Sequence, residues 1–332
     1  MHGAVAGTHQ LCGARVLVLT PRGQGGAAAV VARVVPALSR GGRVQVLPFG
    51  RRPSDVRALR EALHQCDVVH LHPSFRGRSL VAAAAARSLA RRAGVCAVVQ
   101  LHGVSRVLVS RVDGSRALRS LLLRTVLSAE QVLAVDPELA VRFVAWGVAA
   151  DRVAVVDNPF DPAEVPTARA PGPPAVVFLG RLEPGKGARV FAAAAERARA
   201  DGIDWVVAGA GSLEGALRGR GVALTGWLDT AGKRALWSRA AVLVLPSAEE
   251  AAPLVVLDAL AAGVPVVATA VGAVPALVGA SGVLLKSRDP DDIVGAVREV
   301  LRGPPLPRAD VARWHPDVVA ASWRAAYARG CA

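Results

Sequence analysis

Glu250 and Asp258 stand eight residues apart in a stretch that runs from Ala241 to Thr269 and reads as strand, turn, helix, turn, strand. Val242 to Leu245 is an apolar run of buried-strand length, closed by Pro246 and Ser247. Pro253 suits the first turn of a helix, and Gly263 with Pro265 stops it. Glu250 is then expected in the turn ahead of the helix and Asp258 about a turn and a half inside it. Between them lie the free backbone N–H groups of a helix N-terminus, which attract anions. Two acids that accept sugar hydroxyls, with a phosphate seat between them, suggest a nucleotide-sugar site.

A second run supplies the opposite charge. Gly180-Arg-Leu-Glu-Pro-Gly-Lys186-Gly187 follows an apolar strand pattern, so Arg181 and Lys186 fall at a strand end. The Pro184-Gly185 turn folds the backbone back and lets both cations reach one place. A diphosphate needs compact positive charge, and more of it as a sugar departs. Arg offers a planar fork and Lys a point charge, which suits two phosphate groups. Alone the run also reads as an ordinary basic turn; its company with Glu250 and Asp258 favours the diphosphate.

The chain that must position these residues has 332 of them, enough for two cores, and at 52% hydrophobic it is not disordered. The net charge of +14 comes almost wholly from Arg, scattered in pairs such as Arg51-Arg52 and Arg91-Arg92. Such an excess fits nucleic acid, an anionic membrane surface or phosphorylated substrates, and it also fits simple Arg usage. One Tyr and six Phe supply few stacking platforms for bases, which argues against nucleic acid. Cys12, Cys66, Cys96 and Cys331 are far apart with no C-x-x-C; Cys66 and Cys96 border strands and read as buried small hydrophobes, which points to a reducing cytoplasm. Val16–Leu19 is too short for a signal peptide. From Ala251 to Leu285 the only charge is Asp258, yet repeated Gly and Pro break any membrane span, so this is expected to be buried core.

Short apolar strands alternate with Ala/Leu/Arg helices along the whole chain, which calls for parallel sheets covered on both faces. The fold class is α/β, with two domains of similar size joined by a hinge; the resemblance given below implies that they are Rossmann-like, with parallel sheets facing across a cleft. The first is expected over 1–158, with strands beginning at Arg15, Val44, Val68, Ala97, Gln131 and Val153. Residues 159–174 carry six prolines and read as a hinge or linker. The second domain is expected over 175–305, with strands beginning at Ala175, Trp205, Val222, Val242, Val264 and Gly282. Residues 306–332 hold a helix expected to cross back to the first domain.

The second half resembles the family-4 retaining glycosyltransferases, which have the GT-B fold. The resemblance rests on Gly180-Arg181…Lys186-Gly187, Ala208-Gly-Ala-Gly211, Thr225-Gly226-Trp227, Pro246-Ser247 and Glu250-x7-Asp258-Ala-x-Ala-x-Gly263-x-Pro265. In the first half it rests on Gly25-Gly26, Asp67-Val-Val-His70-Leu-His72, Leu101-His102-Gly103 and Asn158-Pro-Phe-Asp161. The resemblance implies transfer of a sugar from a nucleotide-diphospho-sugar, with retention and without a metal or other cofactor. Glu250 would hold the donor sugar's hydroxyls and Asp258 the ribose. Arg181 and Lys186 would neutralise the diphosphate, with Gly180 beside them and the N–H groups of Leu254 and Val255 adding the helix dipole. Gly25 and Gly26 would let the first domain approach the donor, and His102 would face the transferred sugar. The acceptor would be a glycan, a glycolipid or a small molecule, with the loops Pro73–Arg78 and Ser105–Ser115 deciding which. The sequence departs from the family at Asp258, where Glu is usual, at Ala276, where an acid is usual, and at Ala251 and Ala252.

Other readings stay open beside it. The Gly23-x-Gly25-x-x-Ala28 match suggests an NADP-dependent oxidoreductase, although Pro21-Arg22 separates it from the strand and no acid ends the next strand. A same-fold sugar-nucleotide epimerase would use the same residues, and the departures also suit an inactive glycosyltransferase-like interaction protein. His70, His72 and His102 end strands at one edge without an evident carboxylate, and read as crevice histidines rather than a metal site. Asp289-Pro290-Asp291-Asp292 reads as a helix start. The partners implied are the nucleotide-sugar donor and its acceptor, with no nucleic acid and with contact to an anionic membrane surface left open on the cytoplasmic side.

Overall fold

The structure, a computed structural model, describes residues 13–22, 25–50, 52–73, 77–103 and 106–331. Cys12, Gly23, Arg51, Ser105 and part of the 73–78 loop, all used above, lie outside them. The chain forms two compact units, one of residues 1–159 with 316–332, the other of residues 160–315.

In the first unit the chain runs β1 (Arg15–Pro21), α1 (Gly26–Leu38), β2 (Arg43–Phe49), α2 (Pro53–Leu63), β3 (Val68–Leu71), α3 (Gly77–Arg92), β4 (Cys96–Leu101), α4 (Arg106–Asp113), α5 (Arg116–Arg124), β5 (Gln131–Ala134), α6 (Pro137–Trp146) and β6 (Val153–Val155). The strands form one parallel sheet in the order β2-β1-β3-β4-β5-β6. Central strands are apolar on both faces because helices cover both: Leu17, Val18, Val68, Val69, Val98 and Val99 are all fully buried. Caps set the helix ends. Asp136 accepts from the Glu138 N–H at 3.0 Å ahead of α6, and Gly147 ends it with φ +113. Residues 106–113, expected to be loop, form α4 instead. Val112 is fully buried there, and Leu108 and Val109 pack on the same core, so a run with a buried stripe folds as a helix.

The second unit runs β7 (Ala175–Leu179), α7 (Ala188–Arg197), β8 (Asp204–Ala208), α8 (Glu214–Leu217), β9 (Ala223–Gly226), α9 (Thr230–Arg239), β10 (Ala240–Leu245), α10 (Leu254–Ala261), β11 (Val266–Thr269), α11 (Val274–Val278), β12 (Gly282–Leu285) and α12 (Pro290–Arg302). Its parallel sheet has the order β12-β11-β10-β7-β8-β9. The chain leaves β7 in one direction for β8 and β9 and returns to β10 on the other side. Such a switch point opens a crevice at the carboxyl ends of the two central strands. Asp289 accepts from the Asp291 N–H at 2.8 Å and caps α12, so the Asp-Pro-Asp-Asp run is a helix start.

The proline-rich segment is not a free tether. Phe160 is buried, and its N–H bonds the Trp314 carbonyl at 3.1 Å. Glu164, 2% exposed, pairs with Lys233 on α9 at 2.8 Å, and Arg234 donates to the Ala163 carbonyl. Proline excludes regular structure here, but it leaves side chains free to dock.

After the second unit the chain returns as α13 (Pro316–Gly330), which packs on α1 and buries Trp323 and Tyr327 in the first unit. Cys331, just past this helix, forms a disulfide with Cys96 at the start of β4, with Cα atoms 5.5 Å apart. This corrects the reading of Cys96 as an unpaired buried thiol, because a sequence separation of 235 hides the pairing from any local spacing. It also removes one reason for expecting a reducing compartment. Cys66 is free and buried, and burial pushes its thiol up to about 11.

Closing so long a loop restricts the unfolded chain strongly. Cys331→Ser is expected to destabilise the first unit by about 2–5 kcal/mol, read as a lower denaturant midpoint, and reductant is expected to do the same to the wild type. A non-reducing peptide map without a joined Cys96–Cys331 fragment would refute the bond.

Candidate functional site

Two of the residues singled out in the second unit, Lys186 and Glu250, meet at its switch point. The 180–187 loop follows β7, and the 246–253 loop follows β10. One glycine lets these two loops meet, and another brings the loop after β11 against the second of them. At Gly187, φ +92, a Cβ would lie 2.4 Å from the Pro246 carbonyl oxygen; at Gly272, φ +54, it would lie 2.2 Å from that of Glu250. Neither position admits another residue without moving the backbone. The Ala248 N–H also bonds the Gly185 carbonyl at 2.7 Å.

This closeness puts Lys186 Nζ 2.7 Å from Glu250 Oε1, although 64 residues separate them. The same oxygen accepts from Ser247 Oγ at 2.8 Å. Ser247 is fully buried, and its carbonyl is held by Thr269 Oγ1 at 2.6 Å. The carboxylate is thus fixed from two sides through one oxygen, while Oε2 has no partner among the described residues. The Glu250 side chain is 12% exposed and Lys186 26%, so the pair is shielded without being closed off. Lys186 uses one of three donors here, and the open carboxylate oxygen can accept hydroxyls. Ahead of them α10 begins at Leu254 with no side-chain cap, leaving its first N–H groups, on Leu254 and Val255, without helical partners. An anion and an adjacent polyol both find partners at this spot.

Arg181 and Asp258 sit differently from their expected roles. Arg181, at the loop's start beside Gly180, is exposed and pairs with Glu183 Oε2 at 2.8 Å rather than with Glu250. Asp258 is 4% exposed, and its Oδ1 accepts from the Asp161 N–H at 3.1 Å, so it anchors the segment entering the unit. A position a turn and a half into a buried helix turns the short Asp side chain toward the protein, and sequence spacing alone does not show which neighbour it meets. Three contributors were not among the expected site residues. Ser247 and Thr269 buttress the carboxylate loop, and Arg288 Nε donates to the Pro246 carbonyl at 2.9 Å. A serine three residues ahead of Glu250 at a strand's end was a legible signal for the first; Thr269 ends β11 and Arg288 lies in the loop after β12, and they carry none.

In the first unit, Gly25 caps α1 and Gly26 opens it, both without positive φ. A Cβ at either would meet nothing within 4 Å, so the fold itself does not demand glycine there. The carboxyl ends of β1, β2 and β3 border a cavity of about 220 Å³ lined by Leu19, Phe49, Leu71, His72, Arg78 and Ala83 among others. His102 follows β4. Its Nε2 lies 2.7 Å from His72 Nδ1, and its Nδ1 is also buried, on the side of Asn158. Both ring nitrogens therefore turn inward. His72 lies tilted against His70, ring centroids 4.1 Å apart, and His70 Nδ1 meets the Tyr327 hydroxyl of α13 at 2.8 Å. Among the described residues no group of three His, Cys, Asp or Glu is placed to hold a metal ion. Burial holds His70 and His72 well below their ordinary range, with neighbouring histidines adding to it. Burial also pushes His102 down to about 4, against the Asn158 hydrogen bond that favours its charged form. Burial thus disfavours the charged form of all three.

Sequence comparison covers both units. Residues 173–303 match the family "Glycosyl transferases group 1" and residues 10–164 match "Glycosyltransferase Family 4". The glycogen synthase of Mycobacterium tuberculosis is 35% identical over 174 residues, 48% of this chain and 42% of that protein. D-inositol 3-phosphate glycosyltransferase 1 of Catenulispora acidiphila is 31% identical over 275 residues, 72% of this chain and 64% of that protein. The chain thus spans well under two thirds of the first of these relatives and slightly under two thirds of the second. Among solved structures, Anabaena HepE in complex with UDP and glucose superposes with a TM-score of 0.67 at 18% identity, over 96% of this chain and 95% of that one. AviGT4, a glycosyltransferase involved in avilamycin A biosynthesis, gives 0.64 at 20%, over 95% and 97%. These structures share the two-domain GT-B fold.

The histidine cluster has a measurable consequence. Folded pKa values lie below the unfolded value of 6.5, so as pH falls from 6.5 toward 4 the unfolded chain takes up protons that the folded unit refuses. Stability should be full above pH 6.5 and fall with acidification by about 1.4 kcal/mol per pH unit for each histidine. Urea unfolding across that window measures the slope, and His102→Gln should reduce it; an unchanged slope would contradict the cluster's neutrality.

Proposed function

Because the chain belongs to the group 1, family 4 glycosyltransferases of GT-B fold, we propose that it transfers a sugar from a nucleoside-diphospho-sugar with retention of configuration and without a metal. The observation that carries the reading is the Lys186–Glu250 contact at the switch point, with the bare start of α10 beside it. In this reading Glu250 Oε2 accepts donor hydroxyls while Ser247 and Lys186 hold Oε1. The diphosphate lies over Lys186, Gly180 and the N–H groups of Leu254 and Val255. As the glycosidic bond to the phosphate breaks, negative charge builds on the departing oxygen, and these groups stabilise it without rearranging. Arg181 joins them by exchanging Glu183 for phosphate, a swap open to an exposed side chain.

Asp258 is assigned to holding the Asp161 backbone rather than the ribose, and His102 to the wall of the first unit rather than to a hydrogen bond with the sugar. Gly25 and Gly26 leave room for the donor. The acceptor enters the cavity beside Phe49 and Arg78. The UDP and glucose held by HepE support a nucleotide-sugar donor. The relatives named for inositol 3-phosphate and for glycogen differ in acceptor, so the reading stops at an alcohol. A cytoplasmic site of action against a membrane's inner face belongs to the reading, and the Cys96–Cys331 bond pulls against it. No helix among the described residues is long and apolar enough to cross a membrane.

A thermal-shift panel of sugar nucleotides identifies the donor. With that donor, Glu250→Gln and Lys186→Ala are each expected to lower kcat/KM by about 10²–10³ with the fold retained. Turnover equal to wild type in either variant overturns the assignment.

A further inference from the structure

The second unit has a cavity at the edge of its sheet away from the Lys186–Glu250 pair. Ala241 near the start of β10, Pro265 just before β11 and Ser281 just before β12 place it at the amino ends of the strands. Its volume is about 280 Å³, and every residue lining it belongs to this unit. Leu260, Val264 and Val300 give it apolar walls, and the chain just past α12, residues 305–309, lines it as well.

Two arginines and one serine are the polar side chains on its wall, and no acid among the described residues joins them. Ser281 is 7% exposed, yet its hydroxyl has no hydrogen-bond partner among the described residues. Buried hydroxyls are normally bonded, so an open one on a cavity wall points to a group that enters the cavity. Arg169 donates through Nη1 to the Ala240 carbonyl, which fixes its guanidinium and leaves its other donors open. Arg308 stands over the end of α10: a Cβ at Gly263 would lie 3.5 Å from its guanidinium carbon. A cation is favoured beside the last carbonyls of a helix. Arg308 nevertheless donates to none of them, nor to any other described residue, so its whole fork is open. The carbonyl end of α10 repels an anion with about half a charge, and two full positive charges outweigh it.

From this cavity we propose a binding site for a phosphate monoester. Arg169, Arg308 and the Ser281 hydroxyl hold the phosphate, and the organic part lies against Leu260, Val264 and Val300. A dianion with three terminal oxygens matches two guanidinium groups and a hydroxyl, whereas one guanidinium fork already fills a carboxylate. The site is separate from the one assigned to the donor. Leu254 starts α10 beside Lys186 and Glu250, Leu260 near its other end lines the cavity, and about 12 Å of helix lies between. The inference rests on this cavity and goes beyond the glycosyl-transfer reading, which stands if it fails.

Ligand-observed NMR titration of the full chain with phenyl phosphate tests it. Phenyl phosphate is expected to bind more tightly than inorganic phosphate, which lacks the organic part, and than benzoate, which lacks the second charge. Lys186→Ala should retain this binding. Arg308→Gln should weaken it by about tenfold, the strength of one hydrogen bond to a charged group, and Ser281→Ala by a smaller factor. Arg169→Gln should match Arg308→Gln; if loss of the Ala240 contact keeps that variant from folding, Arg308→Gln and Ser281→Ala decide the matter. No binding of phenyl phosphate, equal affinity for benzoate, wild-type affinity in folded Arg308→Gln, or loss of binding in Lys186→Ala would each overturn the proposal. The last of these would put the phosphate at the donor site instead.

Discussion

The near-contact of two loop backbones in the second unit is the constraint from which its chemistry follows. A parallel sheet whose connections diverge between β7 and β10 must leave a gap at the carboxyl ends of those strands. Here the gap is narrowed until a single side-chain carbon at Gly187 would collide with the Pro246 carbonyl, while Gly272, in the loop after β11, lies as near the Glu250 carbonyl. Only at that separation does a lysine from one loop reach a glutamate from the other. Ser247 and Thr269, drawn from the neighbouring strand ends, then fix the carboxylate's position. A fixed carboxylate with one oxygen free binds a hydroxyl at little entropic cost, which a mobile one on an open loop does not.

The first unit solves a different problem. Its β3 carries His70 and His72 on one face, where α13 supplies Trp323 and Tyr327. The row of Tyr327, His70, His72 and His102 is joined by a hydrogen bond at each end and a ring contact between, with His70 Nε2 and His72 Nε2 buried and without a hydrogen-bond partner among the described residues. The order of this interior depends on a helix contributed from the far end of the chain. The disulfide to Cys96 secures that helix just past its last turn. His102, expected to face substrate, has its Nε2 bonded to His72 and its Nδ1 buried.

Surface charge is distributed unevenly between these tasks. Many arginines are matched locally, as Arg298 is with Asp201 and Arg15 with Asp67. Arg111, Arg116 and Arg124 of the α4–α5 hairpin are not, since its one acid, Asp113, is drawn away to Arg142 and Trp146 of α6. The imbalance arises from the packing of three helices and not from composition, which reads only as a diffuse basic excess.

Strand positions were legible in the sequence, and helix positions too except for α4, α5 and α11, because buried parallel strands need unbroken Val and Leu runs and most helices between them start and stop at Asp, Pro and Gly. Asp289 and Gly147 are examples where the local signal and the observed cap coincide. The pairing of a basic turn after one strand with an acid after another was also legible, since residue type and strand-end placement are local properties. What tertiary structure alone decided is which polar atoms remain open. Arg181 turning to Glu183, Asp258 to the Asp161 backbone, His102 to His72 and Cys96 to Cys331 each depend on a neighbour that only folding brings close. Hydrogen bonds and disulfides act over a few ångströms of space, whatever the distance along the chain, so the sequence named the chemical groups while the packing determined which were still free to act.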